Sequence, residues 1–196
     1  EYANSYDLGD FEIDEQPKNF LVFDFGGGTC DVAIFSLKRN KGDSSLSVLP
    51  LAVSRYHRLG GGDIDAAIIY EILLPQLIEQ NGLGKFDLSF SDKKQKLEPA
   101  LIGAAEALKI GICTAISRLM GFGKYESANK DEIVKTQPGV HNVKFGDKTL
   151  TLTSPTISAE QFEELLEPFL DVDRLYARST EYRLTNSIFA PVEDAI

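Results

Sequence analysis

Histidine, cysteine and basic charge are all scarce in this chain. Two histidines and two cysteines stand among 196 residues, and Cys30 and Cys113 lie far apart and fit no zinc-ligand spacing. That excludes a Cys/His zinc centre, and both thiols are expected to be reduced and in or near the core. Twenty Lys and Arg face thirty Asp and Glu, a net charge of −10. Nucleic-acid affinity rests on clustered cations, so a nucleic-acid partner is excluded and a basic protein surface suits the chain better. No apolar run approaches the roughly 18 residues that a membrane span requires, so no membrane partner is expected. Glu1 is not an initiator Met, and Val192, Ala195 and Ile196 read as a helix cut short. The sequence is therefore expected to be a piece of a longer chain, and the lack of a signal-peptide pattern at its start says little.

What is present suits a soluble α/β fold. With 43% hydrophobic and 26% charged residues, the chain can bury one sizeable core or a core with a satellite. Residues 1–19 are acidic and polar and read as a linker or frayed end. From Phe20 the sequence reads strand, glycine turn, strand: Phe20 to Phe23, then Gly26-Gly27-Gly28, then Asp31 to Phe35. A turn over Lys38 to Ser45 leads to a third strand, Leu46 to Ser54, in an antiparallel meander. Gly60-Gly61-Gly62 precedes a helix whose apolar positions Ile64, Ala67, Ile68, Ile72 and Leu73 recur at helical spacing until Gly82 and Gly84. A second helix is expected over Leu97 to Leu119, with Leu101, Ala105, Leu108, Ile112 and Ala115 on one face. Asn142 to Phe145 and Lys148 to Leu152 flank Gly146-Asp147 as a hairpin. Ser158 and Gln161 form a capping box with Ile157 and Phe162 placed as a hydrophobic staple, Pro168 kinks or ends that helix, and a last helix begins near Ile188 or Pro191.

Three consecutive glycines between two strands remove every Cβ from the turn, so backbone N–H groups can converge on an anion, phosphate being the obvious one. Asp24 before them and Thr29 and Asp31 after them add two carboxylates and a hydroxyl, suited to hydrated Mg²⁺ and an attacking water. No Gly-Lys-Ser/Thr closes the turn, so it is not a P-loop. Gly60 to Gly62 lead into a helix N-terminus, whose N–H groups and dipole favour an anion; an ordinary glycine turn with Asp63 as N-cap reads equally well. Glu106, Lys109 and Cys113 share the helix face away from the apolar stripe, which by spacing alone suits a solvated, salt-bridged surface.

The string Asp24-Phe25-Gly26-Gly27-Gly28-Thr29-Cys30-Asp31-Val32 resembles the second phosphate-binding hairpin of the DnaK-type, seventy-kilodalton heat-shock chaperones. Leu59 to Asp65 resembles the family's next glycine turn, Glu106 to Cys113 its adenosine-contacting helix, and Phe162 to Leu165 and Pro191 to Glu193 its later segments. The resemblance runs from Phe20 to Ile196. It implies an actin-like, ribonuclease-H-type lobe over 20–65, helices with an inserted α/β subdomain over 66–185, and the start of a returning helix over 186–196. It also implies ATP or ADP with Mg²⁺ as ligands. Gly26, Gly27, Gly28, Thr29, Gly60 and Gly61 would contact phosphates, Asp24 would hold a Mg²⁺-bound water and Asp31 would position the nucleophile. Glu106 and Lys109 would address the adenosine hydroxyls, beside Ile110 and Cys113.

Two departures stand out. Ile110 occupies the place of a family arginine that stacks on adenine, replacing a planar cation with an aliphatic cover. Arg55-Tyr56 replaces a Gly-Asp before the second glycine turn, which marks a divergent member. The family's first phosphate hairpin, catalytic lysine and glutamate and last adenosine loop have no counterpart here. Phosphoryl transfer needs groups on all sides of the γ-phosphate, so the chain alone is expected to hydrolyse ATP negligibly. The resemblance implies as partners a first lobe, a peptide-binding domain and an exchange factor or co-chaperone, in a cytoplasmic setting. Two alternatives stay open: another actin-like ATPase such as a sugar kinase, or a non-catalytic interaction module that has kept the fold.

Overall fold

The structure is a computed structural model that describes residues 13–42, 45–54, 57–84, 86–145, 147–173, 175–180 and 183–196, with backbone alone over 176–180 and 183–186. The first twelve residues of the expected linker, Arg55-Tyr56 and Gly146 lie outside the described residues. The first glycine turn joins β1 (Lys18–Phe25) to β2 (Cys30–Arg39), and β3 (Leu46–Val53) completes an antiparallel meander of order β1-β2-β3. β1 starts before the expected linker ends. β2 is 10 residues long and offers Leu37 and Ser36 as ladder partners to Lys18 and Asn19, and polar residues are well accommodated at a strand end. Alternation divides the sheet into two faces. Phe20 stacks on Phe35 at 5.6 Å on one, while Cys30 and Val32 are buried on the other.

The first helical pattern forms one run: α1 (Gly61–Ile68), a π-helical turn (Ile69–Leu73) and α2 (Leu74–Gln80). The second repeats this design with α3 (Phe90–Asp92), a π-helical turn (Lys93–Leu97) and α4 (Glu98–Gly121). Each π turn is followed within two residues by a proline, Pro75 or Pro99. In an unbroken α-helix the proline ring would clash with the carbonyl four residues back, and the wider turn relieves it. Residues 90–121 are long and apolar enough, by length and composition, to cross a membrane. This overturns the expectation that no apolar run approaches that length: the alanines, leucines and isoleucines of α4 raise its mean hydropathy although polar and charged residues interrupt them. Leu101, Ala104, Ala105, Leu108 and Ile112 of α4 are buried in the core.

Beyond α4, β4 (Val134–Thr136) precedes the hairpin of β5 (Val140–Phe145) and β6 (Lys148–Thr153) and pairs antiparallel with β7 (Thr156–Ser158) after it. The side-chain amides at the end of α2 serve this region as a surrogate strand. Gln76 donates to Thr156 O at 2.7 Å and accepts from Thr156 N–H at 3.0 Å. Asn81 does the same for Thr151 at 2.8 and 3.0 Å, and Gln80 for Thr153 at 3.2 and 2.7 Å. The Gln76 and Asn81 pairs are part-buried and satisfy edge groups that would otherwise be costly to leave unpaired, while the Gln80 pair lies exposed.

The capping box forms as expected: Ser158 Oγ accepts from Gln161 N–H at 3.1 Å, and Gln161 Oε1 accepts from Ser158 N–H at 3.0 Å. It opens α5 (Ala159–Leu170), which carries Pro168 in its last turn and buries Phe162, Leu165 and Phe169. An unexpected hairpin, β8 (Tyr176–Thr180) with β9 (Arg183–Asn186), leads to α6 (Ala190–Ala195), which packs on β2. One core unites Ile68, Leu73 and Leu77, Leu101, Leu108 and Ile112, Leu150 and Leu152, and Phe162 and Phe169. Each contributes about 1.5–3 kcal/mol of burial. The meander lies at its margin and leaves Leu21, Val22, Phe23, Val48, Leu49, Leu51 and Val53 exposed.

Candidate functional site

The first glycine turn is closed by the Phe25–Cys30 pair and by Gly26 N–H donating to Thr29 O at 2.9 Å. Its glycines at 27 and 28 are exposed, neither has a left-handed backbone, and a Cβ added to either would meet nothing within 4 Å. Neither the chain's conformation nor its packing therefore requires glycine there. Among the described residues the N–H groups of Gly27, Gly28 and Thr29 have no acceptor. Three successive unpaired donors on a bare turn form a concavity receptive to an anion.

Asp24 and Asp31 are direct partners across β1 and β2, and both are exposed. Opposed residues on neighbouring strands share a face, with Cβ atoms about 4.5–5.5 Å apart, and like charges so placed repel. A hydrated divalent cation would relieve this repulsion. Mg²⁺ keeps several waters and needs only one or two carboxylates plus phosphate oxygens; among the described residues no three or more His, Cys, Asp or Glu are grouped to hold a metal. Cys30, on the opposite face, is fully buried. Burial pushes its thiol up, and the charges of Asp31 and Asp24 add to that. Cys113, expected in or near the core, is instead exposed on α4, because it lies off the helix's buried stripe.

The second glycine turn holds the first in place. Gly61 N–H donates to Gly26 O at 3.0 Å and Gly62 N–H to Gly27 O at 2.8 Å, while Gly60 N–H donates to Asp63 Oδ2 at 2.9 Å. A Cβ on Gly60 would fall 2.4 Å from Gly28 N and 2.6 Å from Gly26 O, so glycine is obligatory there on packing grounds. These N–H groups, expected from the sequence to be open to an anion, are spent on the hairpin's carbonyls and on the cap. Asp63 is the third helical residue and Gly60 the N-cap.

α4 meets this turn through Lys109, whose Nζ donates to Gly61 O at 3.0 Å and to Asp65 Oδ2 at 2.8 Å. Burial raises the Asp65 carboxyl above its ordinary range, and Lys109 opposes that rise. Glu106 and Cys113 lie exposed a turn to either side, and Ile110 is 58% exposed. The structure thus links Gly26–Thr29, Gly60–Gly62 and Lys109 through a continuous series of hydrogen bonds. It places Asp24 and Asp31 beside the first turn and Glu106, Ile110 and Cys113 on α4. Sequence reasoning missed Asp65. Its signal was a carboxylate directly before the apolar run Ala66 to Ile69, a place that calls for a basic partner.

The fold and the site define a mixed α/β domain built around an anion-receptive glycine hairpin. The chain matches the Hsp70 protein family over residues 3–170. It is similar to the chaperone protein DnaK of Picrophilus torridus, 29% identical over 156 residues, which make up 80% of this chain and 20% of that protein. The chain thus spans about a fifth of the length of the curated relative it matches. It belongs to the Hsp70 family, whose fold is that of the actin-like ATPases.

Proposed function

We propose that the chain is the ATP- and ADP-binding second lobe of a chaperone ATPase, an actin-like lobe that carries an inserted α/β subdomain within residues 66–185. Gly26, Gly27, Gly28 and Thr29 hold the phosphates. Asp24 holds a Mg²⁺-bound water, Asp31 orients the attacking water, and Glu106 and Lys109 address the ribose beside Ile110 and Cys113. The cation, when bound, screens the phosphate charge and that of the two aspartates. The observation that carries this reading is the first turn, where three N–H groups lack acceptors among the described residues and two glycines meet no conformational or packing need.

The exposed apolar meander supports a place for this chain within a larger lobe, since patches of that kind mark surfaces that other elements cover. In that setting the other lobe supplies the groups missing around the γ-phosphate, a peptide-binding domain responds to hydrolysis, and an exchange factor grips the inserted subdomain, in the cytoplasm. The chain by itself is inactive. One observation favours a second reading, a non-catalytic interaction module: an exposed Ile110 offers nucleobases only an aliphatic cover. The intact Asp24, Thr29 and Asp31 set speaks for the first.

Calorimetric titration of the full-length protein with ATP and ADP in Mg²⁺ tests the proposal. Tight binding that weakens at least about tenfold in Asp24→Ala, the effect of one charged contact, supports it. No binding by the wild type overturns it and leaves the interaction module.

A further inference from the structure

Among the described residues Asp65 is the one buried carboxylate, with 6% of its surface exposed, and it lies inside the glycine-turn assembly. Its Oδ2 accepts from Lys109, while its Oδ1 is buried and, among the described residues, has no partner. Buried polar atoms in folded proteins are nearly always satisfied, so a carboxylate serving only as a structural anchor would be expected to have both oxygens engaged. The asymmetry matches a different task, that of holding a single cation in one place.

Lys109 is that cation. Its side chain is 19% exposed, and two of its three ammonium donors go to Gly61 O and Asp65 Oδ2. Lysine normally spends about 2 kcal/mol of rotamer entropy when it is fixed, and here two acceptors on α1 fix it before any ligand arrives. The third donor remains. Gly61 is held at both ends, its N–H by the Gly26 carbonyl and its C=O by Lys109. The placement of the Lys109 ammonium is thereby tied to that of the phosphate turn.

We infer that Asp65 is a positioning residue for nucleotide recognition: by fixing Lys109 between the second glycine turn and α4, it aims the remaining ammonium donor at the sugar hydroxyls of a bound nucleoside diphosphate, in register with the phosphates on Gly26–Thr29. This rests on the proposal that α4 faces the nucleoside. It assigns the discrimination of ribose from hydroxyl-free sugar to a residue that does not itself touch the ligand.

The test is the ratio of affinities for ADP and 2′,3′-dideoxy-ADP, measured with Mg²⁺ on the full-length protein. A general loosening of the fold would weaken both ligands together and leave the ratio unchanged. The wild type is expected to prefer ADP about tenfold, the worth of one charge-assisted hydrogen bond. Asp65→Asn and Lys109→Met are each expected to bring the ratio near one, and the double variant to bring it no lower. Should Asp65→Asn leave an uncompensated charge that prevents folding, Asp65→Glu keeps the charge while displacing the ammonium, and its ratio, likewise expected to fall toward one, then decides. A wild type that binds no nucleotide overturns the proposed function and this inference with it. A wild type that binds and discriminates, with the ratio unchanged in Asp65→Asn, or in Asp65→Glu where that stands in for it, overturns this inference alone.

Discussion

Replacing Gly60 with alanine isolates the packing that sets the two glycine turns against each other. The added Cβ would lie 2.4 Å from Gly28 N, 2.5 Å from Gly27 C and 2.6 Å from Gly26 O. Ordinary heavy-atom contact is about 3.5–4.0 Å, so the turns must part by about an ångström. All three atoms are backbone, and no flexible side chain can yield instead. The φ of −171° at Gly60 is extended backbone open to any residue, so collision is the whole cost. Separation breaks the bonds from Gly61 N–H to Gly26 O and from Gly62 N–H to Gly27 O. Two hydrogen bonds at about 0.5–1.5 kcal/mol each and overpacking of about 1–3 kcal/mol give a loss of about 2–6 kcal/mol, a large share of a typical domain's stability. Gly28→Ala meets nothing within 4 Å and is expected to stay within about 0.5 kcal/mol of wild type while weakening nucleotide binding. Urea unfolding of both variants decides the matter. Equal losses in the two, or a harmless Gly60→Ala, would mean that the two turns are not held in register by contact at Gly60.

Four further outcomes follow. Ile110→Arg is expected to raise ATP affinity by supplying a planar cation that can stack on the base, measured by calorimetry on the full-length protein. Ser158→Ala removes the hydroxyl that caps α5 and should cost about 1 kcal/mol in urea unfolding. Asn81→Leu leaves the N–H and C=O of Thr151 without their partners and should cost about 1–3 kcal/mol for each group stranded. Tyr125 is pushed up to about 12 by burial and by its hydrogen bond to Glu163. A group whose pKa is raised on folding gives stability that is complete below its unfolded value and is lost as pH rises through the folded one. Stability should therefore decline between pH 10 and about 12, and Tyr125→Phe should flatten part of that decline in thermal midpoints recorded against pH.

The parts of the fold legible in the sequence were those encoded locally. The meander follows from apolar runs broken by glycines, α4 from its stripe of Leu101, Ala105, Leu108 and Ile112, and the start of α5 from Ser158 and Gln161 three residues apart. What escaped depends on distant partners. The β4–β7 pair joins segments on either side of a hairpin, and the amide pairs of Gln76, Gln80 and Asn81 reach across 70 to 80 residues. The same holds within the site. The first turn could be read because its glycines are consecutive, whereas the use of the Gly61 and Gly62 N–H groups depends on which loop packs against them. Asp65 stood out only as a carboxylate before an apolar run, and its role could not be read because its partner Lys109 lies 44 residues away.

If the glycine hairpin holds the nucleotide, phosphate is received by the N–H groups of Gly27, Gly28 and Thr29, which have no acceptor among the described residues. Full-length protein labelled with ¹⁵N-glycine and titrated with ADP and Mg²⁺ tests it most directly. The amide resonances of Gly27 and Gly28 are expected to shift far more than those of Gly61 and Gly62, whose N–H groups already donate to carbonyls. Binding that leaves Gly27 and Gly28 unmoved, or that moves Gly61 and Gly62 most, would contradict the account.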